Sequence, residues 1–295
     1  MIDSVKVKAY LVFVAVIAIM IHGCKPEETP PVMPTGFDPV VHFNNNVVYG
    51  TMTDADGNEY KTFTVKRRKI NYIKLKDIHG KDSIVSEISY VQQTWMAENL
   101  RTTKYRNGDT IANVKDSLTW GKLTTDAYCN YNNTSNADTI RVYGRLYNSF
   151  AVTSTKKLAP EGWHVADTAD WRIFFDTTSL STGYITYAGG KLKEAGLTHW
   201  MNINAGASNE TGFTSLPAGY REAYSLNTGQ AFIKSSRFSG MGKSCVYWTT
   251  TKKSSDFYQG VTLLADGEGC HGFSTLEPLY YPRKHGFSVR CVKDY

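Results

Sequence analysis

No apolar stretch in this 295-residue chain reaches the roughly 20 residues that a membrane-crossing helix needs. The uncharged run Ala9–Ile21 (AYLVFVAVIAIMI) is too short for that role. His-Glu-x-x-His zinc helices, Gly-x-Ser-x-Gly elbows and phosphate-cradling glycine loops are missing as well, so the sequence offers none of those chemistries a scaffold. Gly189-Gly190-Lys191 lacks the upstream glycine and downstream Ser/Thr of a phosphate loop and reads as the start of a helix. Asp54-Ala55-Asp56-Gly57-Asn58 lacks the third carboxylate and distal Glu of a calcium loop, which leaves a hairpin turn. His42, His79, His164, His199, His271 and His285 show no chelating spacing, and His164 is expected to be a hydrogen-bonded core residue. No metal or cofactor is expected. Internal repeats and low-complexity tracts are also missing, which argues against solenoids and disordered arrays.

The short apolar run makes sense as an export signal. It follows basic Lys6 and Lys8, ends in His22-Gly23-Cys24, and turns abruptly polar at Lys25-Pro26-Glu27-Glu28. A basic stub, a short apolar core and a small residue before the cut form a secretory signal. A cysteine directly after that small residue resembles the bacterial lipobox, in which the thiol is lipidated before cleavage. We expect residues 1–23 to be removed and lipid on Cys24 to hold the chain to a membrane, since more than one acyl chain gives durable anchoring. Lys25–Glu28 is similar to the charged signal that sends Bacteroidetes lipoproteins to the outer face of the outer membrane. Residues 24–48, with the proline-rich stretch Thr29–Asp38, are expected to form an extended tether.

A formal charge of +6 is modest for this length, and export argues against a nucleic-acid partner. The basic run Lys66-Arg67-Arg68-Lys69 reads as the solvated side of a strand. Nineteen tyrosines and six tryptophans are many, and we read them first as core in a chain short of long aliphatic stretches. With Cys24 set aside, Cys129, Cys245, Cys270 and Cys291 remain, an even number in an oxidising compartment. Three pairings are possible. The nested one, Cys129 with Cys291 and Cys245 with Cys270, is expected; four free buried thiols are the alternative.

Alternating or β-branched runs at Asn46–Met52, Thr62–Val65, Ile70–Leu75 and Ile84–Tyr90, separated by glycine turns, predict strands. Helical spacing predicts a helix over Thr168–Phe175 behind an Asp167 cap, and a second over Tyr187–Ala195 ended by Gly196.

Several segments in order carry a resemblance to a known family. They are Thr94–Tyr105 (TWMAENLRTTKY), Ala127–Tyr131 (AYCNY), Tyr143–Asn148 (YGRLYN), Leu158–Val165 (LAPEGWHV), Asn209–Arg221 (NETGFTSLPAGYR) and Gly286–Asp294 (GFSVRCVKD). Together they closely resemble the Fibrobacter succinogenes major paralogous domain, over about Tyr49 to Asp294. The opening Thr53–Thr62 resembles that family's first hairpin, so about 66–90 reads as an inserted hairpin within a single domain, 49–295. The resemblance implies an α+β fold related to C-type lectins and formylglycine-generating enzymes, with loop-rich twisted antiparallel sheets and two short helices. It constrains fold more than function.

The enzyme relative uses a reactive cysteine pair a few residues apart, and here only Cys270 precedes Cys291 nearby. The lectin calcium signature is also missing: in Glu277-Pro278-Leu279 and Tyr247-Trp248-Thr249-Thr250 the amide ligand is gone and the order is reversed. A calcium-free aromatic platform of Tyr258, Phe273, Tyr280 and Tyr281 on the late loops is the candidate ligand surface, unless those rings simply pin the loops. The sequence therefore points to a lipid-anchored, non-catalytic binding or adhesion module for glycan or protein. A divergent enzyme on the formylglycine scaffold and a structural envelope component are the alternatives.

Overall fold

The computed structural model describes residues 37–76, 80–174, 188–201, 203–227, 232–268, 270–271 and 279–294. Cys24 and Phe273 lie outside these residues. Phe37–Tyr295 form one compact unit, so the body begins earlier than the tether expected through residue 48. His42 N–H donates to Glu194 Oε1 at 2.8 Å, Asn44 Nδ2 donates to the Asn209 carbonyl at 2.9 Å, and Arg141 Nη2 donates to the Pro39 carbonyl at 2.7 Å. These bonds strap 37–44 onto the body.

The strands are β1 (Tyr49–Thr53), β2 (Glu59–Lys76), β3 (Asp82–Met96), β4 (Tyr128–Cys129), β5 (Leu146–Tyr147), β6 (Trp163–Val165), β7 (Ala218–Asn227), β8 (Phe232–Met241), β9 (Ser244–Lys252), β10 (Phe257–Leu264), β11 (Cys270–His271), β12 (Tyr280–Pro282) and β13 (Cys291–Lys293). Between them run the short helices α1 (Ser117–Lys122), α2 (Ala137–Tyr143), α3 (Ser149–Val152), α4 (Thr168–Phe174) and α5 (Ala188–Leu192). One sheet has the order β1-β2-β3-β13-β6; a second runs β11-β10-β9-β7-β8 with β12 beside β10; β4 and β5 pair separately. The fold is α+β with mostly antiparallel sheets and more short helices than the two expected.

Strands β2 and β3 stay in register from Thr62↔Met96 to Lys76↔Asp82. Strand β1 covers β2 only as far as Phe63, so the remainder forms a two-stranded ribbon beyond the sheet. Ile73, Ile84, Val85 and Tyr90 on it are exposed, and Lys66–Lys69 lies within its β2 strand. This ribbon spans the stretch near 66–90 expected to form a hairpin.

The segment 286–293 ties the two sheets together. Gly286 bridges Arg221, Phe287 bridges Tyr147, and Ser288 bridges Tyr247 before β13 pairs with β6 and β3. Residues 285–292 are buried, so the polar side chains among them, Ser288 and Arg290, need hydrogen-bond partners within the core. Between the sheets Trp95 stacks edge-on to Trp171 at 5.1 Å, Trp171 meets Phe213 at 5.4 Å, and Phe213 meets Tyr247 at 5.5 Å. All four rings are fully buried, so much of the aromatic content is core.

Helix α4 forms where predicted, and Asp167 Oδ1 accepts from Asp170 N–H at 2.9 Å, the bond expected of an N-cap. Phe175 lies outside the described residues. The second predicted helix is shorter than expected. Lys193 leaves α5 to bridge Ser215, and its Nζ donates to the Leu264 and Gly267 carbonyls at 2.9 Å each. Tertiary pairing outweighs the local helical preference here. Position 190 of this helix has to be glycine, because a Cβ there would collide with the Gly206 carbonyl. Asp54 Oδ1 accepts from Asp56 N–H at 2.9 Å and Asn58 N–H at 3.0 Å, which closes the first hairpin as an Asx-type turn.

The nested disulfides do not form. Cys129, Cys245 and Cys291 are free, buried thiols. Cys245 and Cys270 both lie opposite Leu263, on either side of β10. Two strand spacings put their backbones roughly 10 Å apart, beyond the roughly 7 Å a bridge can span. Sequence spacing suggested neighbouring strands, and the register inserts a third between them. Burial pushes the Cys129 thiol up to about 11 and raises Cys245 and Cys291 too. A thiol reagent at pH 8 is therefore expected to leave these three unlabelled in the native chain and to label all of them in guanidinium without reductant. Thiols still missing after denaturation would show that a bridge exists.

Candidate functional site

A cleft of about 600 Å³ opens beside β6. Its walls come from the loop after α3 (Val152–Ala159), from Trp163–Val165, from Thr250 and Lys252 at the end of β9, and from Tyr258 and Asp294. The volume suits a small ligand. Arg106 fixes the loop: its guanidinium donates to the carbonyls of Ala159 at 3.1 Å, Pro160 at 2.6 Å and Trp163 at 2.7 Å. It also pairs with Glu161 at 3.2 Å.

His164 stands in the wall with a half-exposed ring. Its Nε2 lies 3.0 Å from Asp170 Oδ2 and its Nδ1 lies 2.7 Å from Asp294 Oδ1. The Asp170 carboxylate, opposed by burial and joined by Asp294, raises its pKa to about 9. At neutral pH the imidazolium donates from both nitrogens and has no lone pair to accept a proton, so it is no general base. The chain of contacts continues inward. Gln93 Nε2 donates to Asp170 Oδ1 at 2.8 Å, and Trp95 Nε1 donates to Gln93 Oε1 at 3.1 Å. The expected core histidine is thus a half-exposed clamp between α4 and the last residues of the chain.

Of the expected aromatic platform, Tyr258 lines the cleft, with the Arg283 guanidinium 5.2 Å from its ring. Tyr281 is held in place instead: its hydroxyl is 2.9 Å from Thr262 Oγ1 and its ring packs edge-on to Phe287 at 4.9 Å. Lys253 Nζ lies 4.6 Å over the ring of Tyr280. Of the described platform residues, only Tyr258 lines the cleft beside β6; Tyr281 pairs opposite it across β10 and β12.

Trp163, Lys157 and Lys252 were not singled out from the sequence, although Trp163 sits beside His164 in a quoted segment. The two lysines are far apart in the chain, and no spacing signal could have joined them. Lys157 has a left-handed backbone, φ 62°, held by its N–H to the Ser154 carbonyl at 3.1 Å and by its carbonyl accepting Arg106 N–H at 2.9 Å.

Residues 88–293, well over half of the chain, match the Fibrobacter succinogenes major domain. The chain belongs to this family. The matched span begins inside β3, so β1, β2 and the outer part of the ribbon precede it. Every cleft residue except Asp294 falls within the family domain. No curated protein and no solved structure matches the chain. The family is a domain without an assigned activity, so any functional reading rests on the site.

Proposed function

We propose that this Fibrobacter succinogenes major domain is a non-catalytic glycan-binding module, anchored to the bacterial outer membrane and exposed at the cell surface. The observation that carries the reading is the cleft itself. Apolar Val152, Leu158, Trp163 and Tyr258 stand beside hydroxyl-bearing Thr153, Ser154 and Thr250, a mixture that suits a sugar ring with one C–H face and several hydroxyls. Its imidazole is committed to two carboxylates, which favours binding over proton transfer. A formylglycine-type oxidase would need a reactive thiol, and the buried, high-pKa Cys245 is poorly suited to that task. The fold relationship to C-type lectins that the family resemblance implies agrees with a binding role. The anchor rests on Ala9–Ile21 followed by His22-Gly23-Cys24.

A glycan array probed with the detergent-purified full chain is expected to show saccharide binding that Tyr258→Ala weakens about tenfold or more, as loss of an aromatic sugar contact should. Silence across neutral and acidic glycans would overturn the reading. A Cys24→Ala variant is expected to lose metabolic acyl labelling; unchanged labelling would refute the anchor.

A further inference from the structure

We infer that the ligand of this cleft is an acidic saccharide whose anionic group is held by Lys157 and Lys252. The inference rests on the glycan-binding reading above and adds the charge of the ligand. Four cationic side chains line the cavity: Arg106, Lys157, His164 and Lys252. Two are already matched, since Arg106 pairs with Glu161 at 3.2 Å and His164 lies between Asp170 and Asp294. Among the described residues, Lys157 and Lys252 have no ion-pair partner. Asp294, the one carboxylate in the lining, is taken by His164. A neutral sugar would leave both ammonium groups in water, whereas an anion gains charge-assisted hydrogen bonds in a partly enclosed cavity.

The two lysines are also rooted. Lys157 keeps a left-handed backbone, which is costly for a residue with a Cβ, and two backbone hydrogen bonds fix it there. Lys252 ends β9 in register with Tyr258, one of the two aromatic residues of the cleft. Rooting the chain at each ammonium reduces the ordering needed on binding. The apolar wall of Val152, Leu158, Trp163 and Tyr258 gives a bare inorganic anion no contact, so the charge belongs on a larger ring-bearing molecule. Carboxylate and sulfate share the chemistry required.

Calorimetry with the full chain in detergent separates the possibilities. The probes are trigalacturonate, its fully methyl-esterified form, a sulfated disaccharide, maltotriose and inorganic phosphate. At least one acidic saccharide is expected to bind about tenfold or more tighter than the neutral probes, with the advantage shrinking as salt rises and screens the charges. A Lys157→Asn/Lys252→Gln double variant should fall to the neutral-sugar affinity with an unchanged melting temperature. Asparagine tolerates the left-handed backbone, and both lysines are exposed. Equal binding of acidic and neutral saccharides would overturn the acidic assignment and leave the glycan-binding reading intact. Absence of binding by every saccharide on this panel and on the array would remove both. Acidic binding untouched by the double variant would place the anion site elsewhere. Phosphate binding as tightly as trigalacturonate would reduce the site to a bare anion pocket.

Discussion

Replacing Arg290 by methionine is expected to cost about 3–5 kcal/mol of stability, the range seen when a buried charged hydrogen-bonding group loses its network. Arg290 is 1% exposed. Its Nε donates to Asn99 Oδ1 at 2.7 Å, Nη1 to the carbonyls of Met96 and Phe213 at 2.9 Å each, and Nη2 to the Thr214 carbonyl at 3.2 Å. The guanidinium lies 4.4 Å from the centre of the Phe213 ring. One side chain therefore joins β3, the 213–214 loop and the buried C-terminal segment. Methionine fills most of the volume but leaves these acceptors in the core without donors, at roughly 1–3 kcal/mol for each one left unsatisfied. Net stabilities of about 5–15 kcal/mol leave little margin. Lysine should rescue poorly, because a single ammonium cannot reproduce the planar fork. Arg237→Met is the control: Arg237 pairs with Glu222 at 2.9 Å on the surface, and such pairs contribute about 0–1 kcal/mol. Urea melts of the three variants check this, and an Arg290→Met midpoint equal to that of Arg237→Met would refute the clamp.

Acidification from pH 6.5 to 4 is expected to remove up to about 3 kcal/mol through His285 alone, from a slope near 1.4 kcal/mol per pH unit. His285 is buried at 8% exposure, and its Nδ1 has no hydrogen-bond partner. Burial, opposed weakly by Glu222, pushes its pKa down from 6.5 to about 4. In that window the unfolded histidine takes up a proton that the folded one refuses, so stability falls as pH falls. His285→Phe keeps a ring against Tyr281 and Phe287, 6.1 and 5.6 Å away, and should flatten this limb. His164 has the opposite sign. Its pKa is raised to about 9, so its contribution is complete below 6.5 and is lost as pH rises toward 9. His164→Gln should flatten that alkaline limb. Melting temperatures across pH 4–9 for the three proteins decide it; an acid limb unchanged in His285→Phe would show that His285 is not its source.

Two histidines with the same intrinsic chemistry thus behave oppositely, and their local sequence does not say why. Asp170 and Asp294 reach His164 from six residues and from 130 residues away, while the fold buries His285 against the rings of Tyr281 and Phe287. The same limit applies to the cysteines. An even count, in a chain expected to be exported, made bridges reasonable, but pairing depends on strand register, and β10 comes between Cys245 and Cys270.

What the sequence by itself determined is local or compositional: the strand alternation, the Asp54 turn, the Asp167-capped helix and the family, whose segments keep their own order along the chain. Hydrophobic period, caps and turns act over a few residues, so they can be read without a structure. The tertiary structure alone decided that β10 separates Cys245 from Cys270, where the second predicted helix stops, and which scattered side chains share a cleft. Lys157, His164, Lys252 and Asp294 meet because β6, β9 and the C-terminal segment cross there, and long-range packing of that kind leaves no spacing signal in the sequence.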